Sequence, residues 1–367
     1  MKVGVGAKVP PFRVMDVITK ANERERLQVA GGSRILRMEA GQPGTGLPEG
    51  ARRAVSNALQ SGDAMGYTEA MGRFSLRTRI AAHIQDWYGV NVSPSRIAVT
   101  LGASGAFPLA YLSAFDPGDR IALAAPYYPP YVNIATALGL HPVILPCGLE
   151  TGFQPTIAML EVLDPEPDGL ILASPANPTG SMLSPTGLAA LAEYCHGAGI
   201  RLISDEIYHG LTYGKPVASA AQFSGSAIVI NSFSKYFSMT GWRVGWMVLP
   251  EDLIRTAERL AQNFFISPSY ISQIAAEAAF DCHDELGANR ASYAKARQMM
   301  IEGLNIAGFT RFSPPDGAFY IYADIAARAA DSGAFCNHLL EPGLFTCLQI
   351  QFELNQSACL HISKCYM

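Results

Sequence analysis

Ser232-Phe233-Ser234-Lys235-Tyr236-Phe237-Ser238-Met239-Thr240-Gly241-Trp242-Arg243-Val244-Gly245 follows a short apolar run, Ala227–Asn231. A lysine in a loop is ordinarily solvated. Here Lys235 lies among aromatic and small residues, with hydroxyls at 232 and 234 and an arginine at 243. An amine desolvated near another cation loses proton affinity and becomes a nucleophile. The hydroxyls and the guanidinium suit a phosphate.

Upstream of this stretch the chain alternates. Arg96–Thr100, Arg120–Ala124, Val143–Leu145, Gly169–Ala173, Ile200–Ser204 and Ala227–Asn231 are short apolar runs, and Val244–Val248 adds another. Helix-like segments lie between them, among them Val132–Leu140, Ile157–Leu163 and Leu183–Ala198. Apolar runs without polar alternation fit strands covered on both faces. Strands alternating with helices predict an α/β fold with a mostly parallel sheet of seven strands. The flanks differ. An amphipathic stretch, Val14–Val29, sits in a Gly/Pro-punctuated arm, and a charged helix, Asp284–Ala307, precedes a strand at Gly317–Ala323. We therefore expect an arm and part of a small domain over 1–47, a large domain over 48–283, and the rest of a small α/β domain over 284–367.

Composition narrows the class. Of 367 residues, 49% are hydrophobic and 16% charged, with a mean hydropathy of +0.15, so the chain is too apolar to be disordered. A net charge of −4 gives no electrostatic reason to expect nucleic acid. Two long uncharged stretches, Ile97–Phe115 and Ile121–Leu149, are punctuated by Gly and Pro and read as buried strands and helices, not membrane spans. The seven cysteines form no CxxC pair, and the start lacks a basic segment followed by an apolar run. Both features predict reduced thiols and a cytoplasmic protein without a metal site.

A lysine that forms an imine beside a phosphate site points to pyridoxal 5′-phosphate (PLP). With Ser232–Gly245 matched at every defined position, the chain resembles the class I (class I/II) aminotransferases of PLP fold type I, the aspartate aminotransferase-like enzymes, over about residues 30–325. The resemblance implies that Lys235 is the catalytic residue. It would form the internal aldimine and move the proton between Cα and C4′. Ser232, Ser234 and Arg243 would bind the cofactor phosphate.

The other parts occur in the family's order. Gly102-Ala103-Ser104, between a strand and a helix, resembles the phosphate cup, with Ala103 and Ser104 as ligands. Ala125-Pro126-Tyr127-Tyr128-Pro129 resembles the segment whose ring, here Tyr128, stacks on the pyridine. Asn177, in Ser174–Gly180, would donate to the phenolic oxygen, together with Tyr208. Asp205, at a strand end, would keep the pyridine nitrogen protonated, whereas Glu206 is expected to be structural or exposed. Gly66–Gly72 resembles the segment whose tyrosine, here Tyr67, reaches the neighbouring active site of a homodimer. Gly41, in Glu39–Pro43, would touch the substrate carboxylate along with Asn177.

One departure stands out. The family's C-terminal strand bears a carboxylate-binding arginine in a segment like Arg-x-Ser-Phe. Here the last arginine is Arg328, and four of the seven cysteines fall within residues 336–367. Phe335–Glu341 still resembles a family helix, and from Pro342 the likeness is lost. Either the tail is truncated or frame-altered and the functional strand is missing, or the tail is divergent and another arginine serves. The resemblance implies transfer of an amino group from an α-amino acid to a 2-oxo acid by a ping-pong route. The alternatives are a PLP-dependent carbon–sulfur lyase and a PLP-binding chain with impaired turnover. A nucleotide-binding α/β protein is disfavoured, because no GxxxxGK[ST] or GxGxxG motif occurs.

Overall fold

The computed structural model describes residues 1–27, 37–340 and 359–363. Helices α1 (Arg13–Leu27), α2 (Glu49–Gln60) and α3 (Phe74–Tyr88) precede the sheet. Then follow β1 (Ile97–Thr100), α4 (Gly102–Ala114), β2 (Arg120–Ala125), α5 (Pro130–Ala137), β3 (His141–Pro146), α6 (Ile157–Glu161) and β4 (Gly169–Ala173). The alternation continues with α7 (Pro185–Ala198), β5 (Arg201–Asp205), β6 (Ile228–Ser232) and β7 (Gly245–Val248). Helices α8 (Ile254–Phe264), α9 (Tyr270–Ala279) and α10 (His283–Ile306) lead to β8 (Tyr320–Asp324), α11 (Ser332–Leu340) and β9 (Cys359–Ser363).

The seven-stranded sheet runs β1-β7-β6-β5-β4-β2-β3. Strand β7 is antiparallel to both β1 and β6, and the other pairs are parallel. The apolar runs have two faces to bury. Leu170 and Leu172 of β4 enter one core with Val229 and Trp246, while Ile171 enters the other with Ile203, Ile230 and Met247. That double burial explains why the strands read as unbroken apolar runs. The helix ends follow local rules. Pro185 opens α7, the Ser184 hydroxyl accepts from the Gly187 N–H at 3.0 Å, and Gly199 closes the helix at φ +75°.

Every predicted strand is present, with ends shifted by a few residues. The last one differs most: Gly317–Ala323 was expected, and β8 begins at Tyr320. Gly317 is instead held in an isolated bridge to Thr212, where its N–H donates to the Gly180 carbonyl at 2.9 Å. The amphipathic stretch Val14–Val29 appears as α1 up to Leu27, and residues 28 and 29 lie outside the described part. Among the described residues, no helix is long and apolar enough to cross a membrane.

Beyond α10, a smaller core gathers Leu304, Ile321, Ile325 and Cys336, with Met38 from the N-terminal segment packed against it. Strands β8 and β9 pair antiparallel there, with Tyr322 opposite His361 and Tyr320 opposite Ser363. A strand thus follows α11 in the described part, and it carries no arginine. Residues 341–358 and 364–367, where the tail was expected to diverge, otherwise lie outside the described part.

Candidate active site

The carboxyl ends of the parallel strands open onto one cavity of about 920 Å³. Asp205 ends β5, the lysine loop leaves β6, the Tyr127-Tyr128 segment follows β2, and the Asn177 turn follows β4. Ligands bind at this edge in open α/β sheets. The cavity wall includes Gly41, Ala103, Ser104, Tyr128, Asn177 and Asp205. It also includes Tyr208, Ser234, Lys235 and Arg243. Two expected residues lie elsewhere. Ser232 is behind the wall, where its hydroxyl donates to the Val244 carbonyl at 3.1 Å and accepts from the Ser234 N–H at 3.1 Å. Of the two serines, Ser234 is the one that faces the cavity. Tyr67 is on the outer surface, 84% exposed.

The lysine loop is closed at its base because Ser232 pairs with Gly245 across β6 and β7. Inside it, the Lys235 ammonium donates to the Gly41 carbonyl and lies 5.5 Å from the Tyr208 ring centre. Arg243 sits in the left-handed region at φ +51°, and its Nη1 donates to the Thr240 carbonyl at 2.8 Å. A Cβ on Gly102 would lie 2.6 Å from Arg243 Nη2, and one on Gly245 would lie 2.9 Å from the Gly102 carbonyl carbon. Glycine at both places lets the lysine loop and the start of α4 meet. Helix α4 has no side-chain cap, so its first N–H groups are open to an anion beside that guanidinium.

Asp205 is fully buried. Its Oδ1 accepts from the Ile207 N–H at 3.1 Å and its Oδ2 accepts from the Tyr131 hydroxyl. Burial pushes its carboxyl up to about 6, against the pull of Tyr131, the Ile207 N–H and the Lys235 charge. Burial also pushes the Tyr128 phenol up to about 12. Asn177 is held by a tight turn in which the Gly180 N–H donates to the Ala176 carbonyl at 2.7 Å. Glu206, next to Asp205, points the other way and is buried, with its Oε1 accepting from the Ala220 N–H at 2.8 Å and the Ser204 hydroxyl at 3.1 Å.

Three contributors were not singled out from the sequence. Tyr131 reaches Asp205 from α5. Tyr320 lines the cavity from β8, and its hydroxyl is bonded to that of Tyr208. Phe12, just before α1, and Val14, Met15 and Ile18 within it also line the cavity, and Phe12 packs edge-on against Tyr128 at 5.6 Å. Among the described residues, Arg13 and Arg243 are the arginines on the wall.

The family model for "Aminotransferase class I and II" matches residues 33–363. The chain belongs to the class I and II aminotransferases. The match passes Pro342, where the likeness was expected to stop, and takes in β9. That strand reads Cys359-Leu360-His361-Ile362-Ser363 and carries no arginine.

Valine–pyruvate aminotransferase of Mycobacterium tuberculosis is 48% identical over 343 residues, which are 92% of this chain and 87% of that protein. Aspartate/prephenate aminotransferase of Cereibacter sphaeroides is 30% identical, covering 91% of this chain and 87% of that one. The crystal structure of an aminotransferase from M. tuberculosis superposes with a TM-score of 0.95 at 46% identity, over 99% of this chain and 94% of that one. The aspartate aminotransferase of Thermus thermophilus with maleate gives 0.92 at 27% identity, over 99% and 95%.

As an aminotransferase, the chain exchanges amino groups between amino acids and oxo acids and uses PLP. The donor set fits that cofactor. An amine for the aldehyde, a buried carboxylate for the ring nitrogen, and a glycine-floored cradle between Arg243 and α4 for the phosphate all face one cavity.

Proposed function

We propose that this aminotransferase takes its amino group from a small apolar α-amino acid of the valine type, passes it to a short 2-oxo acid such as pyruvate, and works by a ping-pong route as a cytoplasmic homodimer. The observation that carries this reading is the composition of the cavity. Its wall combines Lys235, Asp205 and Arg243 with the apolar residues Phe12, Val14, Met15 and Ile18. The relative named valine–pyruvate aminotransferase points the same way.

Bound PLP supplies an aldehyde for the amino group and a ring that spreads the charge left when Cα loses its proton. Lys235 removes that proton and returns it at C4′. Its partner in this structure, the Gly41 carbonyl, keeps the amine aimed into the cavity. Asp205 holds the proton on the ring nitrogen. Asn177 and Tyr208 donate to the phenolic oxygen, and Tyr128 covers the ring face. Arg243, Ser234 and the N–H groups of Ala103 and Ser104 hold the phosphate, with Ser232 bracing Ser234. The Gly41 backbone and Asn177 meet the substrate carboxylate.

The homodimer is supported by the exposed apolar surface around Tyr67. The Thr68 N–H donates to the Ser267 hydroxyl at 3.4 Å, and both Tyr67 and Ile266, next to these residues in sequence, are exposed. Tyr67 of the partner subunit then reaches the phosphate. Cytoplasmic placement is supported by Cys147, Cys195 and Cys282, which are free thiols in the structure.

The test is a visible spectrum of the purified chain, followed by single-turnover scans with a panel of amino acids. Valine and its apolar neighbours are expected to remove the cofactor band fastest. Preference for aspartate would overturn the substrate assignment, and a Lys235→Ala chain that kept the band would overturn the central one. Strand β9 favours a second reading, in which weak grip on the substrate carboxylate slows turnover, because it carries no arginine.

A further inference from the structure

Tyr320 opens β8 and is buried at the meeting point of three distant parts of the chain. Its hydroxyl is bonded to the hydroxyl of Tyr208, and the two rings stand edge to face, 5.3 Å apart at 79°. Its ring also fills the space beside Gly41. A Cβ there would run into the Tyr320 hydroxyl and lie 2.7 Å from its Cε1 and 2.8 Å from its Cζ. Gly41 is the residue whose carbonyl accepts from Lys235, and Phe319, next to Tyr320, lies 5.7 Å from the Lys235 ammonium. The base of β8 is fixed to the large domain by the Ala318 N–H to the Leu211 carbonyl at 2.7 Å and the Gly317 N–H to the Gly180 carbonyl at 2.9 Å. The phenol therefore has little freedom to leave its partners.

We propose that Tyr320 is a positioning residue of the transamination, which acts by donating its hydroxyl proton to Tyr208 and so ties the setting of the small-domain strand to the cofactor's phenolic oxygen. The inference rests on the reading that Tyr208 donates to that oxygen. A phenol has one proton to donate. If Tyr208 gives its proton to the cofactor, the bond between the two hydroxyls must run from Tyr320 to Tyr208. A donor that is itself accepting a hydrogen bond is polarised and donates more strongly. Tyr208 then stabilises negative charge on the phenolic oxygen better than it would alone. Any shift of β8 relative to the sheet weakens this chain of bonds, so the cofactor's proton affinity reads the position of the small domain.

The experiment is a pH titration of the visible band in the PLP-loaded enzyme, its Tyr320→Phe and Tyr208→Phe variants, and the double variant. Losing the donation makes the phenolic oxygen hold its shared proton to higher pH. Tyr208→Phe is expected to raise the midpoint, and Tyr320→Phe to raise it less, by about half a unit, a factor of about three in proton affinity. The double variant is expected to match Tyr208→Phe alone. If Tyr208→Phe shifts the midpoint and Tyr320→Phe does not, the role of Tyr320 is refuted while that of Tyr208 stands. If Tyr208→Phe leaves it unchanged, the reading of Tyr208 fails instead. A double variant that exceeds Tyr208→Phe shows Tyr320 acting by another path and also refutes the proposal. Should Tyr320→Phe fail to load PLP, Gly41→Ala tests the same point by pushing the intact phenol away from Tyr208. An upward shift supports the proposal, and an unchanged midpoint refutes it.

Discussion

The hydroxyl of Tyr131 donates to Oδ2 of Asp205, and both groups are fully buried. Tyr131 is on α5 and Asp205 ends β5, so a helix on one face of the sheet holds a carboxylate at its edge. Burial raises the carboxyl to about 6, and the tyrosine bond pulls it down. Without that bond the carboxyl would keep its proton to higher pH. Cofactor affinity is expected to fall as the pH drops through about 6, where Asp205 loses its charge. In Tyr131→Phe the same fall should come at higher pH. A hydrogen bond to a charged group is worth about 1.5–3 kcal/mol, so a loss of roughly 10- to 100-fold in kcat/KM is expected at neutral pH. Cofactor binding curves from pH 5 to 8 check the direction. An identical pH profile in the variant would remove Tyr131 from the site.

Glu206 allows a stability measurement on the cofactor-free chain. Burial raises its carboxyl from 4.5 to about 7, despite the Ala220 N–H and the Ser219 and Ser204 hydroxyls. The folded form therefore holds this proton where the unfolded chain releases it. The stability it contributes is present below about pH 4.5 and is lost as the pH rises to about 7. Over that window the loss is about 3 kcal/mol. The neighbouring His209, lowered by burial to about 4, gives a slope of opposite sign, so the wild-type curve alone does not isolate Glu206. The difference between wild type and Glu206→Gln should fall with pH between about 4.5 and 7 in urea unfolding. A flat difference would mean that the carboxyl stays ionised in the fold.

The proposed sharing of active sites between two subunits makes a prediction about mixtures. Lys235→Ala is expected to lose activity, by roughly 10²- to 10⁴-fold from proton transfer alone. Tyr67→Phe is expected to weaken phosphate binding. If Tyr67 of the partner subunit completes each site, a hybrid of the two variants has one site with both residues intact. Refolding the variants together should restore activity that neither shows alone. No recovery in a proven hybrid would place Tyr67 outside the site.

Strand β9 offers a gain-of-function test. Its register sets residue 361 opposite Tyr322, and the strand carries no arginine. His361→Arg is expected to raise kcat/KM for amino acids by about 10- to 10³-fold, through one or two charge-assisted bonds to the carboxylate. Single-turnover rates measure this without the second substrate. An unchanged rate would mean that the carboxylate is held from elsewhere.

Much of this was legible before any coordinates. β4 and β5 declared themselves because both of their faces are buried. Asp205, Asn177 and Lys235, which share the cavity wall, could be singled out because each lies in a short motif at a strand end. The antiparallel course of β7 was not legible, because pairing direction leaves no mark on a four-residue apolar run. Tyr131 and Tyr320 carry no local signal either. Each is one more tyrosine in an apolar segment, and what it touches is set by chain 74 or 112 residues away. Ser232 shows the reverse limit. Its motif position pointed at the phosphate, yet its hydroxyl is turned into the loop that carries Ser234.

Phe12, Met15 and Ile18 enter the cavity from a helix that precedes the whole sheet in sequence. Tyr67 apart, the groups that would handle the cofactor lie at strand ends, in loops and at the start of α4 between residues 102 and 243. Reactivity and taste are thus written in separate stretches of the gene. A lineage can try new diets by editing a few N-terminal codons, with each trial leaving the chemical engine as it was.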